Sequence, residues 1–143
     1  MRGHKDEWFA IARTATNPEA LQGLHADHLL YVIDEASGVS DIVFEPVLGS
    51  MSTDDSRLIM CANPTKLSGF FYESHTSRRA RYNCIRADGR ECSRVDREFI
   101  DDIIAQFGED SNVFRVRVAA LSESAASDFP ADKSSVFPLR VRF

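Results

Sequence analysis

Short apolar runs alternate with polar interruptions along this chain, and one uninterrupted run of five residues, followed by two carboxylates, sets the plan. Leu29 to Ile33 is apolar throughout, with His28 before it and Asp34 after it. A run without polar members fits a strand buried on both faces, as in a parallel sheet covered by helices. A second run spans residues 57–62 and is followed by Asn63, Pro64, Thr65 and Lys66. The connection between the two runs is long enough for a crossover helix, so their carboxyl ends should lie side by side at one sheet edge. Ile42, Val43, Val47 and Leu48 give that helix its apolar positions. Ser40 or Asp41 can cap it, and Pro46 is placed to bend or interrupt it.

The same reading predicts further elements. Residues 8–12 suit a strand, and Asn17, Pro18 and Glu19 make a helix start that Gly23 keeps short. Residues 69–75 read as a helix with Phe70, Phe71 and Ser74 toward the core. Residues 82–86 alternate as a strand, with a hairpin-like turn at 87–90. Phe99, Ile100, Ile103, Ile104 and Phe107 form one stripe of a helix over 97–107, capped by Asp96 and ended by Gly108. Residues 113–118, alternating from Phe114 onward, predict a half-exposed strand. Residues 122–135 have linker composition, and 137–143 could form a last strand.

Composition narrows the class. The 143 residues are 43% hydrophobic and 27% charged, with a net charge of -5, which fits a globular protein and not a generally basic nucleic-acid coat. Charge is uneven: residues 34–55 hold six acids and no base, whereas 78–97 hold seven arginines against three acids. Arg78, Arg79, Arg81 and Arg86 are therefore candidates for phosphate contact. Cys61, Cys84 and Cys92 lack metal or disulfide spacing, and Cys61 and Cys84 read as small core residues. The four histidines show no ligand pattern. No stretch approaches the roughly 20 apolar residues that span a bilayer, and no signal-peptide core is present, so a cytoplasmic protein is expected.

The chemistry sits at the two strand ends. The first run delivers Asp34 and Glu35 into a turn eased by Ser37 and Gly38, where ligands of open parallel sheets bind. The segment LLYVIDEASG resembles the Walker B segment in the ATPase part of phage terminase large subunits, the motors that package DNA. The segment LIMCANPTKLSGFFYE resembles the coupling segment that follows it. The similarity extends through EDSNVFRVRV and weakly into DFPADKSSVFPL.

That resemblance implies an incomplete P-loop NTPase-type α/β fold of the RecA-like, additional-strand class, a mainly parallel sheet with flanking helices. Residues 1–121 would be the partial ATPase domain, and 122–143 a linker toward a nuclease domain. Asp34 would hold Mg2+ beside ATP. Glu35 would deprotonate the attacking water, helped by its neighbouring carboxylate and by partial burial. Asn63 and Thr65 would sense the terminal phosphate and couple its loss to movement. The implied partners are double-stranded DNA, the portal protein and the small terminase subunit, in the cytoplasm of a phage or prophage host, with no membrane.

The phosphate cradle, GxxxxGK[ST], is not among the 143 residues, since none of the seven glycines precedes a lysine. The resemblance puts that loop upstream of residue 1. Two readings follow: a terminase fragment without turnover by itself, or a small non-enzymatic binding protein that uses the acidic cleft or the arginine patch. For the sheet, the resemblance implies that 28–33 is flanked by 57–62 on one side and 8–12 on the other, all parallel. The strand 57–62 would keep one open edge, through which the protein could self-associate.

Overall fold

In the computed structural model, which describes residues 9–14 and 18–121, the central apolar run forms β1, His28–Ile33, and the second run forms β2, Asp55–Met60. The two are parallel neighbours, with Leu29 opposite Ser56, Tyr31 opposite Leu58 and Ile33 opposite Met60. β2 starts and ends two residues earlier than its apolar composition predicts, because Asp55 and Ser56 pair with His28 and Leu29. Among the described residues these strands make the whole sheet. Residues 9–12 do not join it. They carry no regular structure, with Phe9 73% and Ile11 53% exposed, and Trp8 lies outside the described residues.

The crossover is α1, Asp41–Ser50, preceded by the 3-10 turn Pro18–Leu21 and β1, and followed after β2 by α2, Phe70–His75. Pro46 does not interrupt α1. It has no N–H for the carbonyl one turn back, but Val43, Phe44 and Val47 around it are buried and hold the helix in place. Phe44, Val47 and Met51 join Tyr31, Leu58, Met60 and Phe70 in one core. The Phe44 and Phe70 rings stack with centroids 4.2 Å apart, and Tyr82 meets Phe70 edge-on at 6.2 Å. Ser50 donates its hydroxyl to the Val47 carbonyl at 2.8 Å, leaving its oxygen to accept from the buried Tyr31 hydroxyl at 2.7 Å.

α2 begins at a glycine for two reasons. Gly69 has φ of +93°, a region that favours glycine, and a Cβ there would stand 3.1 Å from Asp41 Oδ1. That oxygen accepts from the Phe70 backbone N–H at 2.7 Å, so a side chain of α1 caps α2.

A second core is helical. α3, Arg97–Phe107, has Asp96 accepting from the Glu98 N–H at 3.0 Å and ends at Gly108 with φ of +85°. Residues 113–118 are not a strand: α4 spans Asn112–Arg117, with the Ser111 hydroxyl accepting from the Phe114 N–H at 3.1 Å. Alternation misleads here because a strand needs a partner, and among the described residues only β1 and β2 pair. A helix instead sets Phe114 and Val118, four residues apart, against Ile100 and Ile103.

Residues 82–86 are likewise not a strand. Tyr82 and Cys84 lean on α2, the Cys84 thiol donating to the Ser74 carbonyl at 3.1 Å and Tyr82 meeting Phe70, and among the described residues they pair with no strand. Nor is 87–90 a hairpin turn. It leads into the 3-10 turn Gly89–Glu91, where Asp88 accepts from the Arg90 N–H at 3.0 Å and pairs with its guanidinium at 2.7 Å. That pairing holds the buried Asp88 carboxyl below the usual carboxylate range. Gly89 N–H donates to the Val118 carbonyl at 2.7 Å, tying this turn to the end of α4. Residues 122–143 lie outside the described residues. Among those described, no helix is long and apolar enough to cross a membrane.

Asp41→Ala and Gly69→Ala should each destabilise the protein by about 1 kcal/mol, through the lost cap and the strained backbone. Phe44→Ala should cost about 3–5 kcal/mol through the cavity it leaves under Phe70. Urea unfolding with equal slopes checks both, and an unchanged midpoint for Asp41→Ala would contradict the cap.

Candidate functional site

The two strands end together, and backbone pairing continues past both. Cys61 N–H donates to the Ile33 carbonyl at 3.0 Å, and Ala36 N–H donates to the Cys61 carbonyl at 3.0 Å. The first chain then turns back, with Gly38 N–H on the Glu35 carbonyl at 2.8 Å and Val39 N–H on the Ala36 carbonyl at 3.3 Å. Glu35 sits inside this turn with φ of +50°. A left-handed conformation at a residue other than glycine costs on the order of 1 kcal/mol and persists where its surroundings over-determine it. Here Ala36, 1% exposed, anchors the turn in the core.

Side chains cross-link the turn to the segment after β2. Asp34 Oδ1 accepts from the Glu35 N–H at 2.9 Å and from the Cys61 thiol at 3.3 Å. The buried Ser37 hydroxyl lies 3.1 Å from the Thr65 hydroxyl, and Thr65 N–H donates to the Asn63 carbonyl at 2.8 Å. Asp34 and Glu35 thus share one end of the sheet with Asn63 and Thr65. All four are exposed, so the expected partial burial of Glu35 is not found.

Among the described residues, no group of three His, Cys, Asp or Glu side chains could hold a metal. One exposed carboxylate is still a fitting donor for Mg2+, which keeps several waters and takes one or two carboxylates beside substrate phosphates.

Two residues of this junction escape sequence reasoning. Cys61 reads as a core residue because it extends an apolar run, yet it is exposed and stands one residue past β2 with its thiol on Asp34. Partial burial, that hydrogen bond, and the charges of Asp34 and Glu35 together push its thiol pKa up. Ser37 reads only as turn-forming. Its position three residues after Asp34 is the signal that could have marked it.

The arginines are partly engaged within the chain. Arg78 pairs with Glu73 at 2.9 Å and lies over the Phe70 ring at 5.8 Å. Arg79 and Arg81 belong to the 3-10 turn Arg79–Arg81 that follows it. Arg86 points elsewhere, to the Ala119 carbonyl at 3.5 Å. A groove of about 460 Å³, lined among others by Gln22, His25, Glu45 and Pro46, includes none of the candidate site residues.

With this geometry in place, the chain can be compared with known proteins. It is 40% identical over 124 residues to a protein described as "Probable terminase, large subunit" from Enterobacteria phage P7. The match covers 80% of this chain and 25% of the phage protein, so the chain spans about a quarter of the length of the curated relative it matches. No protein-family model matches the chain, and no solved structure matches it.

Because the Asp34 charge disfavours the thiolate, Asp34→Asn should lower the Cys61 pKa and speed its alkylation by iodoacetamide near neutral pH. Roughly threefold or more is expected, with Cys92 unchanged. Site-resolved mass spectrometry reads this, and equal rates would contradict the contact. The arginine cluster should give only weak DNA binding that fades steeply with salt, since few phosphate contacts are on offer. Binding that survives physiological salt in a filter assay would overturn that expectation.

Proposed function

We propose that this chain, related over most of its length to part of a phage terminase large subunit, supplies the water-activating and coupling part of an ATP-driven DNA-packaging motor. What carries the reading is the junction of the two strand ends, where the carboxylate turn and the segment holding Asn63 and Thr65 are joined through Asp34 with Cys61 and Ser37 with Thr65. A nucleotide motor needs those two functions in contact, because the group that attacks and the group that senses the lost phosphate act on the same atoms.

In this reading Asp34 would hold Mg2+, and Glu35 would take the proton of the attacking water. Mg2+ would supply charge neutralisation across the outer phosphates. Asn63 and Thr65 respond to the terminal phosphate, and Thr65 passes the change to Ser37 and the turn. The β1–β2 pair is then the part of a P-loop NTPase-type sheet that these residues contain. Double-stranded DNA, the portal protein and the small terminase subunit are the partners this reading implies, in the cytoplasm of the phage host. Arg78, Arg79 and Arg81 are its candidate DNA contacts, with Arg86 more distant.

The phosphate-cradling sequence is not among the 143 residues. Without it, both phosphate binding and a lysine charge at the transition state are missing, each worth several kcal/mol of barrier. The 143 residues alone should therefore give no ATP turnover. Joined to a terminase segment carrying GxxxxGK[ST], they should turn over ATP. Glu35→Gln should then lower the rate by about 10²–10⁴-fold while nucleotide still binds, and Asp34→Asn should raise the Mg2+ requirement. Turnover in that joined protein indifferent to Glu35→Gln would refute the assignment.

A further inference from the structure

The groove of about 460 Å³ beside α1 has the size of an ordinary ligand pocket, and none of Asp34, Glu35, Asn63 and Thr65 lines it. Pro18, Ile42 and Pro46 give it apolar walls, and Gln22, His25 and Glu45 bring polar groups. No lysine or arginine lines it. Among the described residues the exposed Glu45 carboxylate takes part in no ion pair. The surrounding chain supplies no cation either, since residues 34–55 hold six acids and no base. Pro46 also has no N–H to give to the Ile42 carbonyl, so an acceptor of α1 lacks its helical donor.

Gly49 lines the same groove, within the last turn of α1. Glycine weakens a helix relative to alanine, and nothing in the fold requires it here. Its φ is not positive, the helix is capped at Met51, and a Cβ built on it would meet no atom within 4 Å. The chain thus gives up helix stability at a position where a side chain would take up open space.

We propose that this groove is a binding site for an arginine side chain of a partner polypeptide, with its stem against Pro18, Ile42 and Pro46 and its guanidinium on the Glu45 carboxylate. The site is separate from the strand-end junction and does not depend on the motor reading. A guanidinium brings a positive charge and five N–H donors to a place that offers a carboxylate and carbonyl oxygens. Its aliphatic stem suits the proline and isoleucine walls. An anion would be repelled by Glu45, and a wholly apolar ligand would strip water from that carboxylate with nothing in exchange. A lysine ammonium holds its water more tightly and has fewer donors.

The test titrates the whole 15N-labelled chain with the peptide acetyl-glycyl-arginyl-glycinamide, and with counterparts carrying citrulline or lysine in place of arginine, followed by NMR. The arginine peptide should move the amide signals of Gln22, Gly23, Glu45 and Gly49 saturably, with a Kd in the millimolar range. The citrulline peptide keeps the shape without the charge and should bind roughly fivefold more weakly, with lysine in between. Glu45→Gln should erase the preference for arginine over citrulline. Gly49→Leu should abolish the saturable shifts, and Gly49→Ala should melt at or above the parent temperature by circular dichroism. Should Gly49→Leu fail to fold, Glu45→Gln and Gly49→Ala decide the matter. The proposal is overturned if no saturable shift appears, if citrulline or lysine binds as well as arginine, or if the preference survives Glu45→Gln. It also falls if Gly49→Ala lowers the melting temperature, because the glycine then serves the fold. Movement of the same signals on diluting the chain alone would make a second copy the occupant and overturn it too.

Discussion

Everything in this structure hangs on the parallel register of β1 against β2. Side chains along a strand alternate between faces, so a slip of one residue would carry Leu58 and Met60 out of the core and bring Arg57 and Ile59 in. Burial of Ser56, Leu58 and Met60 on one side of β2 forbids that slip. The same register ends both strands together and lets Cys61 and Ala36 continue the pairing beyond them. Apolar packing thereby fixes the neighbours of two exposed carboxylates. The position of Asp34 beside Cys61 follows from where Leu58 must sit.

The covered face is built by the crossover. α1 brings Phe44 and Val47 over the sheet, and the Asp41 carboxylate accepts from the first N–H of α2, so the same helix pair is joined by this cap and by the Phe44–Phe70 stack. A single hydrogen bond of this kind contributes only about 1 kcal/mol. Its larger effect is directional, since α2 has six residues and little intrinsic stability as a helix. Arg78, folded back onto Glu73 and the Phe70 ring, completes the same cluster from outside. Its engagement there lowers the number of arginines free to meet a phosphate backbone.

How much of this could be read from the chain differs by element. β1 and α3 follow their predicted bounds because each carries a complete local signal: an unbroken apolar run in one, a full stripe with Asp96 and Gly108 at its ends in the other. The parallel neighbouring of the two strands was legible from the connection between them. Residues 9–12, 82–86 and 113–118 all have strand-like patterns, and none is a strand. A strand needs a partner edge, and nothing within those segments encodes one. The exposure of Leu30 and Val32 was hidden for a related reason: the run predicts two covered faces, and the described residues supply one cover. At the site, Asp34, Glu35, Asn63 and Thr65 were legible as strand-end polar residues. The contacts of Cys61 and Ser37 were not, because a side-chain hydrogen bond across two loops depends on the register.

The turn itself explains why the two carboxylates differ. Asp34, one residue past β1, accepts from the Glu35 N–H and from the Cys61 thiol, so its carboxylate is oriented by two hydrogen bonds. Glu35 is held through its backbone, at a positive φ enforced by the burial of Ala36 on one side and by the Gly38 N–H closing the turn. Backbone constraint fixes where a side chain begins and leaves its far end to rotate. The fold therefore fixes the Asp34 carboxylate through its own hydrogen bonds and fixes Glu35 only through its backbone, and the buried Ala36 next to Glu35 anchors the turn that does both.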